Sequence, residues 1–164
     1  MRANYFCIAI FVFLSFNTII IKAQSEKISN DQFELMRSTL GTWQTLVGKD
    51  TIEKWEHKQY GKGFIVTAFQ VAGEKSIPQH VNIFSYDPAS SNFKGFMLWH
   101  RGFFATWIGS FTNEKVFHID FVTDIIPGNA PASFEMIFDD SSGRKHVHYV
   151  NGKKTHEEIF KRIR

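Results

Sequence analysis

The sequence predicts an all-β protein, an antiparallel up-and-down barrel of about ten strands behind one short N-terminal helix. Three observations lead there. Beyond residue 40 the chain breaks into alternating segments of about 6–10 residues, each closed by a turn signal. The first opens on Gly41-Thr42-Trp43, and the last two are joined by Asn151-Gly152, which suits a type I′ hairpin because both positions need positive φ. Few connections are long enough for a crossover helix, so neighbours in sequence are expected to pair as a meander. A barrel of this kind encloses a pocket, which points to holding a small molecule.

The first residues read as a targeting segment. Arg2 supplies a short basic region, an apolar stretch runs from Tyr5 to Ile21, and Lys22-Ala23-Gln24-Ser25 returns to polar sequence. Residues 1–23 are therefore expected to be a cleaved signal peptide, placing the protein in the periplasm or outside the cell. The rival is an uncleaved anchor, but the stretch from 5 to 21 is 17 residues, short of the about 20 that span a bilayer. Cys7, the sole cysteine, leaves with this segment, so the mature chain has no disulfide, thiolate metal site or cysteine nucleophile.

Removing 23 of 164 residues leaves 141, a common size for one domain. Arg2 and Lys22 leave too, so the formal charge falls from +3 to +1. That balance excludes an electrostatic case for nucleic acid, and no stable membrane insertion is expected once the signal is gone. The chain has 18 Phe, four of them in the signal, and all four Trp lie beyond it. These aromatic residues suffice for a large core or an apolar cavity wall.

Residues 24–37 form a lead-in to the barrel domain at 38–164. A helix is expected over 29–37, capped by Ser29, Asn30 or Asp31, with Phe33, Met36 and Leu40 at helical spacing. It is read as a plug across one barrel end. Strands are expected at 41–47, 51–60, 64–72, 79–86, 93–100, 103–111, 115–123, 132–139, 144–150 and 153–162. Each is bounded by Gly, Asp, Asn, Pro or Ser signals such as Gly48-Lys49-Asp50, Gly61-Lys62-Gly63 and Asp87-Pro88. Residues 124–131, with Pro127-Gly128-Asn129, read as a loop at the barrel mouth.

Two hairpins permit a reading of faces. The Asn151-Gly152 turn pairs Val150 with Lys153, His148 with Thr155 and His146 with Glu157. His146, His148 and Glu157 then share a face, and two histidines with a carboxylate can bind a divalent metal. The opposite face carries Val147, Tyr149, His156, Glu158, Phe160 and Arg162; with its larger apolar groups it is taken as inward. The histidine set is then solvent-facing and no metal is expected.

A turn near Asn113-Glu114 pairs Phe111 with Val116 and Trp107 with Asp120. Phe104, Thr106, Ile108, Phe117, Ile119 and Phe121 then read as core. Trp107, Phe111, Val116, His118 and Asp120 read as a mixed wall. If that wall faces the interior, His118 and Asp120 can bind a ligand or act as an acid–base couple. Glu53, Trp55 and His57 share a face of the second strand, and Trp99, His100 and Arg101 end the fifth. No phosphate loop, Gly-x-Ser-x-Gly elbow or His-Glu-x-x-His sequence occurs, so no catalytic residue is assigned.

In order along the chain stand Leu40-Gly41-Thr42-Trp43, Glu53-Lys54-Trp55, Phe84-Ser85-Tyr86-Asp87-Pro88, Phe93-Lys94-Gly95-Phe96, Trp107-Ile108-Gly109 and Phe160-Lys161-Arg162. This series resembles the bacterial lipocalin-like barrel families of unknown function, over nearly all of residues 38–163. Those belong with the calycin-type barrels, alongside lipocalins, fatty-acid-binding proteins and the haem-binding nitrobindins. The resemblance implies that Trp43 packs at the closed end and that Arg162 covers it. A nitrobindin-like relative holds haem through a histidine, for which His148 and His156 are the candidates by position.

The functional expectation is noncovalent binding of a small, largely apolar molecule, with Trp99, Trp107, Phe111 and Tyr149 as lining and His118 or His156 as polar anchor. No cofactor is assigned. Haem binding, a barrel enzyme using His118 with Asp120, and a structural module filled by its own aromatic side chains are the competing readings.

Overall fold

Strand-forming residues recur with a period of two, so each segment buries one face and leaves the other to solvent. The computed structural model describes residues 32–122, 131–139 and 142–163. After helix α1 (residues 32–38) the strands are β1 (Gly41–Leu46), β2 (Thr51–Tyr60), β3 (Gly63–Ala72), β4 (Lys75–Asp87) and β5 (Asn92–Trp99). There follow β6 (Phe104–Asn113), β7 (Val116–Phe121), β8 (Ala132–Asp139), β9 (Gly143–Val150) and β10 (Lys153–Ile163). Every strand pairs antiparallel with its neighbours in sequence, and β1 pairs with β10 to close the barrel. The expected signal segment, the first residues of the lead-in and most of the 124–131 loop lie outside the described residues.

One end of the barrel is filled. Helix α1 lies across it, with Met36 fully buried and Phe33 against Phe64 at 5.2 Å between ring centroids. Gln32 ties the helix to β6 twice: its Nε2 donates to the Phe111 carbonyl at 2.9 Å, and its Oε1 accepts from the Phe111 N–H at 2.8 Å. Beneath the helix, Phe64 and Phe84 stack near-parallel while Phe93, Phe111 and Phe117 meet their neighbours edge-to-face or tilted, arrangements aromatic quadrupoles favour. Trp43 donates its indole N–H to the Thr39 carbonyl at 2.9 Å. The Arg162 guanidinium lies 5.1 Å from the Trp43 ring and donates to the carbonyls of Ser38 and Leu40.

Register departs from expectation in three places, each time at a bulge. The β6–β7 turn is Glu114-Lys115, and an irregularity between Phe111 and Asn113 sets Trp107 opposite Phe121 and Phe111 opposite Phe117. One residue of slip exchanges faces on a strand. Ala105, Trp107 and Phe111 therefore point inward with Phe117 and Ile119, while Phe104 and Ile108 are exposed. His118 and Asp120 lie on the outer face, correcting their placement on an inner wall. His118 is bonded there to Asp120 at 3.1 Å and to Glu135 at 3.4 Å.

The Asn151-Gly152 turn forms as expected, with φ of 52° and 70° and Val150 opposite Lys153. A bulge between Lys154 and His156 then shifts the pairing, setting His148 opposite His156, His146 opposite Glu158 and Arg144 opposite Phe160. The inner face of β10 is as expected, but on β9 it is Arg144, His146 and His148 that turn inward. Glu157 is left outside, held by Lys154 and Lys145. The set His146, His148 and Glu157 is thus split across the wall. The third bulge, at Gln79, lets Pro78 sit inside β4, which begins at Lys75 rather than at residue 79.

Gly95 marks the tightest contact in the wall. It stands opposite Trp107, and a Cβ there would lie 2.2 Å from Trp107 Cε2. Trp107 is buried and its indole N–H is bonded to Asn82, which holds the ring over Gly95. Gly95→Ala is expected to cost about 1–3 kcal/mol, read as a lower urea midpoint at unchanged slope. An unaltered midpoint would show that Trp107 is not fixed over Gly95.

Candidate functional site

The other half of the barrel is open. Between the packed end and the mouth lies a cavity of about 520 Å³, within the range of small-molecule sites. Its wall is largely aromatic, with Trp55, Trp99, Trp107, Phe84, Phe121 and Phe134 contributing. The alternative of a wholly filled interior therefore applies only to the α1 end.

Of the residues expected to line the interior, Trp99, Trp107, Tyr149 and His156 border the cavity. Tyr149 sits at the rim, its hydroxyl donating to Glu135 at 2.9 Å. Phe111 is not on the cavity wall: it is packed beneath, against Phe117 and Phe138. His118 is outside the barrel. His148 joins His156 on the wall, their ring centroids 5.7 Å apart. Among the described residues, no group of three or more His, Cys, Asp or Glu is spaced to hold a metal ion.

The most unusual chemistry lies below and beside the cavity, and its main actor is Arg144. Its side chain is buried beneath the rings of Trp43, Trp55 and Phe160, with the guanidinium carbon 4.7, 5.2 and 5.0 Å from the ring centroids. Three π faces replace water around the charge. Arg144 Nη1 donates to His57 Nε2 at 2.8 Å, while its Nε and Nη2 have no partner among the described residues. Burial lowers the proton affinity of this guanidinium, but arginine is charged at any ordinary pH, so its neighbours must be neutral or negative.

The surrounding histidines follow from that. His57 is held neutral by burial and by Arg144, and its Nε2 is fixed as an acceptor. His146 is lowered for the same two causes in the same order; both its ring nitrogens are unpartnered, and the ring is enclosed by Trp55, Phe134 and Phe160. His80, edge-on to Trp55 at 4.8 Å, is pushed down to about 4 by burial alone. His148 is lowered by burial, with Glu158 opposing.

Two carboxylates occupy the mouth side. Glu53 accepts from the Trp55 indole N–H, and burial raises its proton affinity, with the neighbouring Glu158 charge adding to the effect. Glu158 lies 3.2 Å from His156 Nε2 and 4.0 Å from His148 Nε2. The shared face of Glu53, Trp55 and His57 was visible as alternation in β2. Glu158 also fell on the expected inner face. Arg144 and His146 were not accessible to that reasoning, because only the Thr155 bulge turns them inward.

Neither a protein-family model nor a curated protein matches the sequence.

The neutral histidines make the fold acid-sensitive. His80 titrates at about 4 when folded and near its ordinary 6.5 when unfolded, so the unfolded chain binds the extra proton as pH falls between those values. The stability is present above pH 6.5 and is lost toward pH 4, by about 3 kcal/mol from His80 alone. Urea midpoints at pH 7, 5.5 and 4.5 are expected to fall in that order, and less steeply in His80→Gln. Parallel slopes for the two proteins would remove His80 from this account.

Proposed function

We propose that the protein is a carrier that binds a small, largely apolar molecule noncovalently inside its barrel. The observation that carries this reading is the aromatic-walled cavity held open above a filled barrel end. An enclosed apolar wall gains roughly 25 cal/mol for each Å² of apolar surface it takes from water. Polar groups on the wall, among them Asn82, His80, Glu53 and Glu158, then orient what enters. Asn82 is fixed for that role, because its Oδ1 accepts from the Trp107 indole N–H at 2.9 Å.

Export belongs to the same reading, supported by the apolar stretch at 5–21, and so does kinship with the lipocalin-like barrels, supported by the ordered motifs from Leu40 to Arg162. Haem is a second reading, favoured by His148 and His156 standing on the cavity wall. The outer-face position of His118 and Asp120 counts against a barrel enzyme built on that pair.

A neutral fluorescent dye such as Nile red is expected to bind one-to-one with enhanced emission. Trp99→Ala, which removes a wall residue, is expected to weaken binding about tenfold. His118→Ala is expected to leave it unchanged. No uptake, or equal loss in both variants, would dismiss the cavity as the binding site. Haem added to the same protein separates the second reading: a Soret shift that disappears on loss of both His148 and His156 would favour it over the apolar ligand.

A further inference from the structure

We propose that the molecule taken by this cavity is an organic cation, an apolar or aromatic body bearing a protonated amine that sits between Glu53 and Glu158. The inference rests on the reading of the barrel as a small-molecule carrier and adds the ligand's chemical class. It begins from a count of charges. Among the described residues on the cavity wall, no Lys or Arg is present, and Glu53 and Glu158 are the only acidic side chains.

Neither carboxylate is paired with Lys or Arg among the described residues. Glu158 has only the imidazoles of His148 and His156 beside it, and Glu53 has the Trp55 indole. Two groups within the barrel act on Glu53 as cations: Arg144, which lies behind Trp55 and is not on the wall, and the imidazole of His156, which is. With the imidazoles carrying no proton, one guanidinium set against two carboxylates leaves one negative charge facing the cavity. A charge in such a place is costly unless a counter-ion arrives.

The wall around the carboxylates has the form that recognises ammonium groups. Trp55 and Trp99 border the same space, and aromatic rings beside carboxylates stabilise a desolvated cation. A second observation is independent of the acidic pair. His80 is nine-tenths buried on the cavity wall, and its Nε2 has no hydrogen-bond partner among the described residues. It offers a polar contact deeper in, so the site is built for a ligand with more than one polar point. An anionic ligand would face both carboxylates, and Arg144 is not on the wall to meet it.

Three probes sharing one ring and of similar length test this by calorimetry at neutral pH: naphthylethylammonium, naphthylethanol and naphthylacetate. The ammonium probe is expected to bind about tenfold tighter than the alcohol, and the acetate weakest. In the double variant Glu53→Gln with Glu158→Gln the ammonium probe is expected to bind no tighter than the alcohol. Circular dichroism and thermal midpoints establish that the variant is folded. Acetate binding as tight as ammonium, or a preference that survives in the double variant, would overturn the inference. If the alcohol and Nile red bind but the ammonium gains nothing, the cation is dismissed and the carrier reading stands. If none of the four is taken up, both fall.

Discussion

Trp43 lies where the sheet closes on itself, paired with Trp55 on one side and Arg162 on the other, and within cation–π reach of two guanidinium groups. The seam needs this. Strand β1 is six residues long and meets β10 through three registered pairs, against eight for β9 with β10. Backbone pairing alone is therefore thinnest at the point of closure. Arg162 compensates by bonding carbonyls at the end of α1 and before β1, so one side chain joins the last strand to the chain segment that enters the first. Gly41, at φ 127°, leaves room for it: a Cβ there would lie 3.2 Å from Arg162 Nε. The Gly-x-Trp opening thus has a reason at both of its specified positions.

The second guanidinium sets the electrostatics of the interior. A charge enclosed by Trp43, Trp55 and Phe160 is weakly screened, so it acts strongly on every titratable group nearby. His57 and His146 must remain neutral beside it, and the one carboxylate it favours is Glu53, on the far side of Trp55. Trp55 therefore links the two halves of the barrel. Its ring packs against Arg144 and Phe160 at the filled end, and its indole N–H bonds Glu53 on the cavity wall. A change of charge at Glu53 is felt by the residue that underlies the closure.

How far the sequence revealed this can be judged strand by strand. Strand number, meander order and the Asn151-Gly152 turn follow from local chemistry, because alternation and positive-φ turn residues act within a few positions. Faces depend on register, and register depends on bulges that leave no local mark. Thr155 is an ordinary strand residue, yet the extra position beside it decides that Arg144 and His146 rather than Val147 and Tyr149 turn inward. The same holds at Phe111 and Asn113, where one unpaired position carries Trp107 into the core and His118 out to solvent. Pro78 is misleading in the opposite sense: it reads as a loop residue but is accommodated inside β4 by the adjacent bulge. Trp99, Trp107 and His156 border the cavity.

The polar content of the interior is not explained by stability. Buried charges and unpartnered ring nitrogens cost free energy, and apolar residues of similar volume commonly hold a core as well or better. Among the described residues, two nitrogens of Arg144 and both ring nitrogens of His146 have no hydrogen-bond partner, in a barrel whose core is otherwise dominated by aromatic and aliphatic side chains. The Phe cluster of Phe64, Phe84, Phe93 and Phe117 shows that this chain can close an interior without such groups. Their placement is also uneven: His57, His80, Asn82, Glu53 and Glu158 all border the cavity, and Arg144 contacts two residues that do. A folding requirement would spread polar cost through the core or avoid it. Its concentration around the open space is what the proposed binding role would require.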